Sequence, residues 1–219
     1  MSSQTVASSV TPQPESLRQR RRRELRQQLS DVATQMFLEH GFDSVRVADV
    51  ARACGVTEAT VFNHFRSKES LLVDRWDVAI ESVRSKLADP QAAPLDAVLV
   101  VLEDELDFVT SASSDAHPHD GVRNLRRFRS LVESTPSLIA HERAALDRMT
   151  DTTAVALAAR WGGAPEDPEP WITAAALTGL WNVMYRSLRQ ALSTDDVPLI
   201  REQVCRDVRR AAATLQQGL

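Results

Sequence analysis

Apolar residues recur at spacings of three and four through most of the chain, the period of a helix that buries one face. Leu25, Leu29, Val32, Ala33, Met36 and Phe37 form the first such stripe, and Gly41 follows in the position of a left-handed cap. Val47, Val50, Ala51 and Cys54 mark a short second helix that Gly55 stops. A third opens at Thr57 as N-cap and turns Val61 and Phe65 inward. A fourth, starting near Ser67, buries Leu71, Leu72, Trp76, Ile80, Val83 and Leu87. Beyond Pro90, longer and more apolar helices alternate with proline-bearing breaks, at about 94–112, 121–134, 136–162, 168–193 and 197–216. No alternating strand pattern interrupts them. The expected fold class is therefore all-α, with about nine helices: a small N-terminal unit over 21–81, followed by a larger helical domain over 90–219. Residues 1–15 are rich in Ser, Thr, Gln and Pro without periodicity, and are expected to form a disordered tail.

Composition changes this picture little. A chain of 219 residues buries a proper core without staples, so Cys54 and Cys205 read as reduced, small core residues. Neither a secretory signal nor a run long enough to span a membrane is present, and the expected location is cytoplasmic. Charge matters more in its placement than in its sum of −4. Residues 1–75 hold 11 Lys and Arg against 9 Asp and Glu, and the positive excess lies in the run from Arg18 to Arg23. Such a run is a solvated helix end, a tail that never orders, or a set of phosphate contacts.

Helices two and three, joined by a glycine turn over 46–65, have the form of a helix-turn-helix, whose second helix enters the major groove of DNA. With Val61 and Phe65 inward, the residues left facing outward are Glu58, Ala59, Thr60, Phe62, Asn63 and His64. Asn63 suits a bidentate pair with adenine, Glu58 accepts from a cytosine amino group, and Thr60 serves a base edge or a phosphate. Ala59 lets the backbone approach closely. Lys68 adds positive charge at the start of the fourth helix, where a phosphate can sit.

The stretch FLEHGFDSVRVADVARACGVTEATVFNHFRSKESLL carries an ordered set of features: GF after helix one, VADVA, the GVT turn, FNHF and SKESLL. It resembles the DNA-binding domain of TetR-type (TetR/AcrR) transcriptional regulators. The resemblance implies that the first three helices bind double-stranded operator DNA, and that Thr57, Thr60, Phe62, Asn63, His64 and Lys68 occupy positions that commonly touch it. It also implies a homodimer built from the last two helices, and a small-molecule effector held by the C-terminal helices. Two residues depart from the family pattern. Phe62 stands where tyrosine is usual and lacks a hydroxyl for a phosphate. Arg46 stands where threonine usually starts helix two; it cannot cap in the same way but can reach a phosphate, and Ser44 is the alternative cap.

After residue 90 no phosphate loop, nucleophile motif or carboxylate pair appears, so neither a cofactor nor an enzymatic role is expected. His117, His119 and Asp120 cluster in a Pro-containing segment without a further ligand, which fits a polar connection better than a metal site. Phe108, Phe128, Leu131, Leu138, Trp161, Trp171, Trp181, Met184 and Tyr185 supply mostly core. Phe108, Phe128, Leu131, His141, Trp181 and Tyr185 are the candidates for a ligand cavity between helices. The segment from RNLRRFRSLVESTPSLIAHERAALDRM onward loosely resembles the acyl-CoA-like ligand-binding subset of the same family, which implies an acyl-CoA, fatty acyl or other elongated apolar effector. Arg126, Arg127 or Arg129 would then sit near its anionic head, salt-bridging being the competing role. The rival readings are an enzyme using His117, His119 or His141, and a helical interaction module that does not touch DNA.

Overall fold

A computed structural model describes residues 16–73, 75–111 and 118–218, with the side chains of 118–120 excepted. The described residues form nine α-helices and one short 3₁₀ turn, with no strand. The elements are α1 (Leu17–His40), α2 (Val47–Ala53), α3 (Glu58–His64), the 3₁₀ turn (Glu69–Leu71), α4 (Arg75–Leu87), α5 (Pro94–Ser111), α6 (Pro118–Ser134), α7 (Pro136–Trp161), α8 (Pro168–Ala191) and α9 (Val197–Gly218). The reading of 1–15 as a disordered tail and that of His117 lie outside the described residues, as do the side chains of His119 and Asp120.

Helix α1 begins in a capping box: the Ser16 hydroxyl accepts from the Gln19 N–H, and the Gln19 side chain accepts from the Ser16 N–H. Its buried residues are Leu29, Ala33 and Phe37, a stripe that packs on α2 and on the 3₁₀ turn. Gly41 ends it with φ 84° and ψ 150°, a positive-φ conformation but not the left-handed helical cap expected from sequence. Gly55, at φ 68°, makes the turn between α2 and α3.

The expected fourth helix is divided. Ser67 and Ser70 exchange side-chain bonds with each other's backbone N–H groups, at 3.3 and 3.1 Å, and Ser70 Oγ donates to the Ser67 carbonyl at 2.7 Å. Ser30 Oγ of α1 donates to the Leu71 carbonyl at 3.0 Å. These local bonds hold a tight 3₁₀ turn at Glu69–Leu71 in place of a first α-helical turn, and the regular helix starts only at Arg75.

In the larger part, α8 lies between α7 and α9, and α4 packs on α5 and α7. A Thr150–Thr178 hydroxyl bond of 2.8 Å joins α7 to α8, and Ser187 donates to Asp207 at 2.7 Å between α8 and α9. Arg160 pins the end of α7 to the carbonyls of Asp89 and Pro90, at 2.8 and 2.9 Å. Trp181, Met184, Leu177 and Leu138 are buried. Trp161 and Trp171, expected in the core, are instead about half exposed, at 48% and 51%. They stand on either side of the α7–α8 connection, and Val155 and Ile172 are also exposed. Both cysteines are free and half-buried at the edge of the core, and burial pushes the Cys54 thiol up. No described helix is long and apolar enough to cross a membrane.

Candidate DNA-binding face and effector cavity

Helix α3, the expected recognition helix, is seven residues long, and Val61 is its one fully buried residue. Thr57 caps it, its Oγ1 accepting from the Thr60 N–H at 3.2 Å and lying 2.8 Å from Thr60 Oγ1. Thr57, Glu58, Ala59, Phe62 and Asn63 are exposed, and Thr60 is half-buried. Phe62 leaves half of its surface in solvent, an unusual exposure for a phenyl ring.

Two expected contacts turn inward. His64 is half-buried at the end of α3, its Nδ1 buried without a hydrogen-bond partner, and burial, then Arg22 and Arg26, push its pKa below the usual histidine value. Arg26 of α1 reaches this end of α3, donating to the His64 carbonyl. Lys68 donates its ammonium to the Phe42 carbonyl and lies over the Phe42 ring at 4.3 Å, holding the loop after α1 rather than projecting as a free cation. At α2, Arg46 occupies the N-cap position and is exposed. The capping bond runs the other way, from the Arg46 N–H to the Asp49 carboxylate at 3.1 Å, and Ser44 lies outside the helix start as an exposed turn residue.

Beneath α1 a cavity of about 430 Å³ opens between α1, α4, α5, α6 and α8. Phe108, Phe128, Trp181 and Tyr185 all line it, which brings together four of the six residues expected there. Leu131 packs against the core instead, and His141 lies toward the 3₁₀ turn and α4, within the influence of Glu69 and Asp77. Burial, then Arg148, lowers the His141 pKa.

Two arginines of the cavity, Arg75 and Arg129, are set in ion pairs. Glu105 is buried and accepts from Arg75 Nε at 3.1 Å, while the Arg75 guanidinium lies 3.6 Å from the centre of the Phe108 ring. Arg129 is also buried; it pairs with Glu142 at 3.0 Å and Glu133 at 3.5 Å and stacks over Tyr185 at 4.8 Å. Burial, then the carboxylates of Glu105 and Glu142, raise the Tyr185 pKa so far that it remains a neutral hydroxyl. Of the three arginines considered for an anionic head, only Arg129 lines this cavity. Arg126 holds the carbonyls of Leu192 and Thr194 and the Asp195 carboxylate, and Arg127 donates to the Leu38 carbonyl at 2.9 Å. No group of three or more potential metal ligands occurs among the described residues.

The α1 wall of the cavity lies outside the positions expected from sequence. Arg26, Ser30, Thr34 and Leu38 line it, and their spacing of four residues is a second stripe beside the apolar one, polar at three of its four positions and so read from sequence as a solvated face. Arg26 also reaches the recognition helix, donating to the His64 carbonyl and lying 4.4 Å from the Phe65 ring centre.

Residues 29–74 match the model described as bacterial regulatory proteins, tetR family, and residues 106–217, just over half of the chain, match the MftR C-terminal domain. The chain belongs to the TetR family. Among similar relatives, the TetR-family chain is 30% identical over 202 residues to the HTH-type transcriptional regulator TcmR of Streptomyces glaucescens, covering 87% of this chain and 84% of TcmR. It is 27% identical over 161 residues to MftR of Mycobacterium tuberculosis (strain ATCC 25618 / H37Rv), covering 74% and 78% of the two chains; that protein's name assigns it to the regulation of mycofactocin biosynthesis. The fold is shared with native NalD of Pseudomonas aeruginosa, the secondary repressor of the MexAB-OprM efflux pump, at TM-score 0.50 and 20% identity over 87% of this chain and 97% of NalD. The protein is thus a DNA-binding transcriptional regulator of the TetR family, not an enzyme.

Proposed function

We propose that this TetR-family regulator acts as a homodimeric repressor on a palindromic operator and is released by a small apolar or acyl-type effector, such as an acyl-CoA or fatty acyl compound, seated in the cavity beneath α1. The observation that carries the reading is the cavity itself. It is walled by Phe108, Phe128, Trp76 and Trp181, it is of ligand size, and its roof is the helix on which α2 and the 3₁₀ turn pack. Operator contact is assigned to Arg46, Thr57, Glu58, Ala59, Thr60, Phe62 and Asn63. His64, half-buried at the end of α3, and Lys68, which bonds the Phe42 carbonyl, are assigned supporting roles in place of direct contact.

Dimerisation through the last two helices, α8 and α9, is supported by Trp171 and Ile172 of α8 and Leu199 of α9, large apolar side chains left exposed in the single chain. Two recognition helices roughly 34–36 Å apart would then read successive half-sites. For release, the effector must bind the DNA-incompetent arrangement more tightly than the competent one. An electrophoretic shift with the DNA upstream of the protein's own gene tests the reading: a retarded band is expected, and it is expected to disappear on adding palmitoyl-CoA. Absence of any retarded band at low salt, from a folded dimer, ends the repressor reading.

A further inference from the structure

Tyr185 of α8 lines the cavity, and among the described residues nothing hydrogen-bonds its hydroxyl. Its ring is fixed by two neighbours. Trp76 of α4 lies 5.9 Å away between ring centres, tilted by 54°, and the Arg129 guanidinium lies over the ring at 4.8 Å. The hydroxyl is therefore held in place without a protein partner. One turn earlier on the same face of α8, Trp181 also lines the cavity, and its buried Nε1 is unpartnered too. An indole N–H is a donor only, and buried tyrosine and tryptophan side chains usually give their hydrogen to an acceptor.

The carboxylates beside this wall are already engaged, Glu105 by Arg75 and Glu142 by Arg129. What α8 offers an occupant is therefore a donor. The charge around that donor selects the acceptor. Glu105 and Glu142 oppose a negative charge at the Tyr185 hydroxyl more strongly than Arg129 and Arg75 favour one. A carboxylate placed there meets the same opposition, and an uncharged oxygen does not. We propose that the cavity takes the uncharged carbonyl of an ester, thioester or amide in preference to a free carboxylate, with the Tyr185 hydroxyl donating to it and the apolar chain lying among Phe108, Phe128 and Trp76. The inference rests on the cavity being the effector site, and it makes Tyr185 the residue that tells an acyl derivative from the free acid.

Methyl decanoate and decanoate share a chain and differ in charge when compared in mildly alkaline buffer. The ester is expected to raise the melting temperature of the full chain at roughly tenfold lower concentration than the acid, since a buried unpaired charge is costly. Tyr185→Phe is expected to weaken ester binding roughly five- to tenfold, the worth of one hydrogen bond to a buried acceptor, and to leave decanoate binding unchanged. Without a probe the variant is expected to melt with the wild type, because its hydroxyl has no protein partner to lose. A lowered midpoint shows the hydroxyl engaged within the fold and overturns the proposal, as does an equal response of wild type and variant to the ester. Decanoate acting at the same concentration as the ester, or no action by either, overturns the uncharged carbonyl. Release of operator DNA is measured separately. Ester binding that depends on Tyr185 but leaves the operator bound upholds the hydroxyl contact and ends the reading of the cavity as effector site.

Discussion

The recognition helix and the cavity hold their polar side chains by opposite means. In α3 the outward residues depend on one local cap, Thr57, and on a single buried anchor, Val61. In the cavity, Arg75 and Glu105 meet across 30 residues of chain and Arg129 and Glu142 across 13, each pair with a buried member. The first arrangement leaves a surface that can change its side chains at almost no cost to folding. The second ties specificity to stability, because removing one partner strands the other charge in a medium that solvates it poorly.

The largest effect that sharpens this contrast lies at Trp181. Trp181→Ala is expected to cost about 3–5 kcal/mol of stability, read from a urea transition. Trp181→Phe should cost far less, because the buried Nε1 it removes has no partner to lose; equal losses would show that the indole nitrogen is satisfied after all. Next is Glu105→Ala, which strands Arg75. A loss of about 1–3 kcal/mol is expected, below that of a fully buried pair because the Arg75 side chain is 33% exposed.

Asn63→Ala should do the reverse, leaving the unfolding midpoint unchanged while weakening operator binding by about 1–3 kcal/mol per half-site. A shifted midpoint would break the contrast, since Asn63 would then be part of the scaffold. The smallest effect concerns the arginine run at the start of α1, whose residues are exposed. Replacing Arg21 and Arg22 by Gln should reduce the slope of log affinity against log salt by about 0.9 for every phosphate that is no longer neutralised. An unchanged slope places the run in solvent.

The same contrast explains what can be read from sequence. Helix boundaries are legible because local chemistry marks them: Pro94, Pro136 and Pro168 each open a helix at its first position, and Gly55 and Gly162 bend the chain with positive φ. The outward face of α3 follows from two inward residues and the helical period. The 3₁₀ turn escapes such a reading because its cause is partly remote, a bond from Ser30 that no window around Ser67 contains. Phe108, Phe128, Trp181 and Tyr185 stand out as large aromatic groups on α5, α6 and α8, but nothing local separates them from Leu131 or His141. Arg26 is hidden for a different reason. A charged residue within a basic helix reads as solvated, and only the tertiary fold brings the His64 carbonyl to it.

Helix α1 is a continuous rod of 24 residues, roughly 36 Å at 1.5 Å per residue. It precedes α2 and α3 in the chain, yet its side chains wall the cavity proposed for the effector. Modularity in this regulator is therefore incomplete. If the cavity holds the effector as proposed, a chimera that joins these C-terminal helices to another protein's DNA-binding unit inherits a foreign ceiling over it, and its inducer preference is expected to change although no residue of the borrowed helices does. Grafts that keep this α1 and exchange only the outward positions of α2 and α3 preserve the chamber while redirecting the operator.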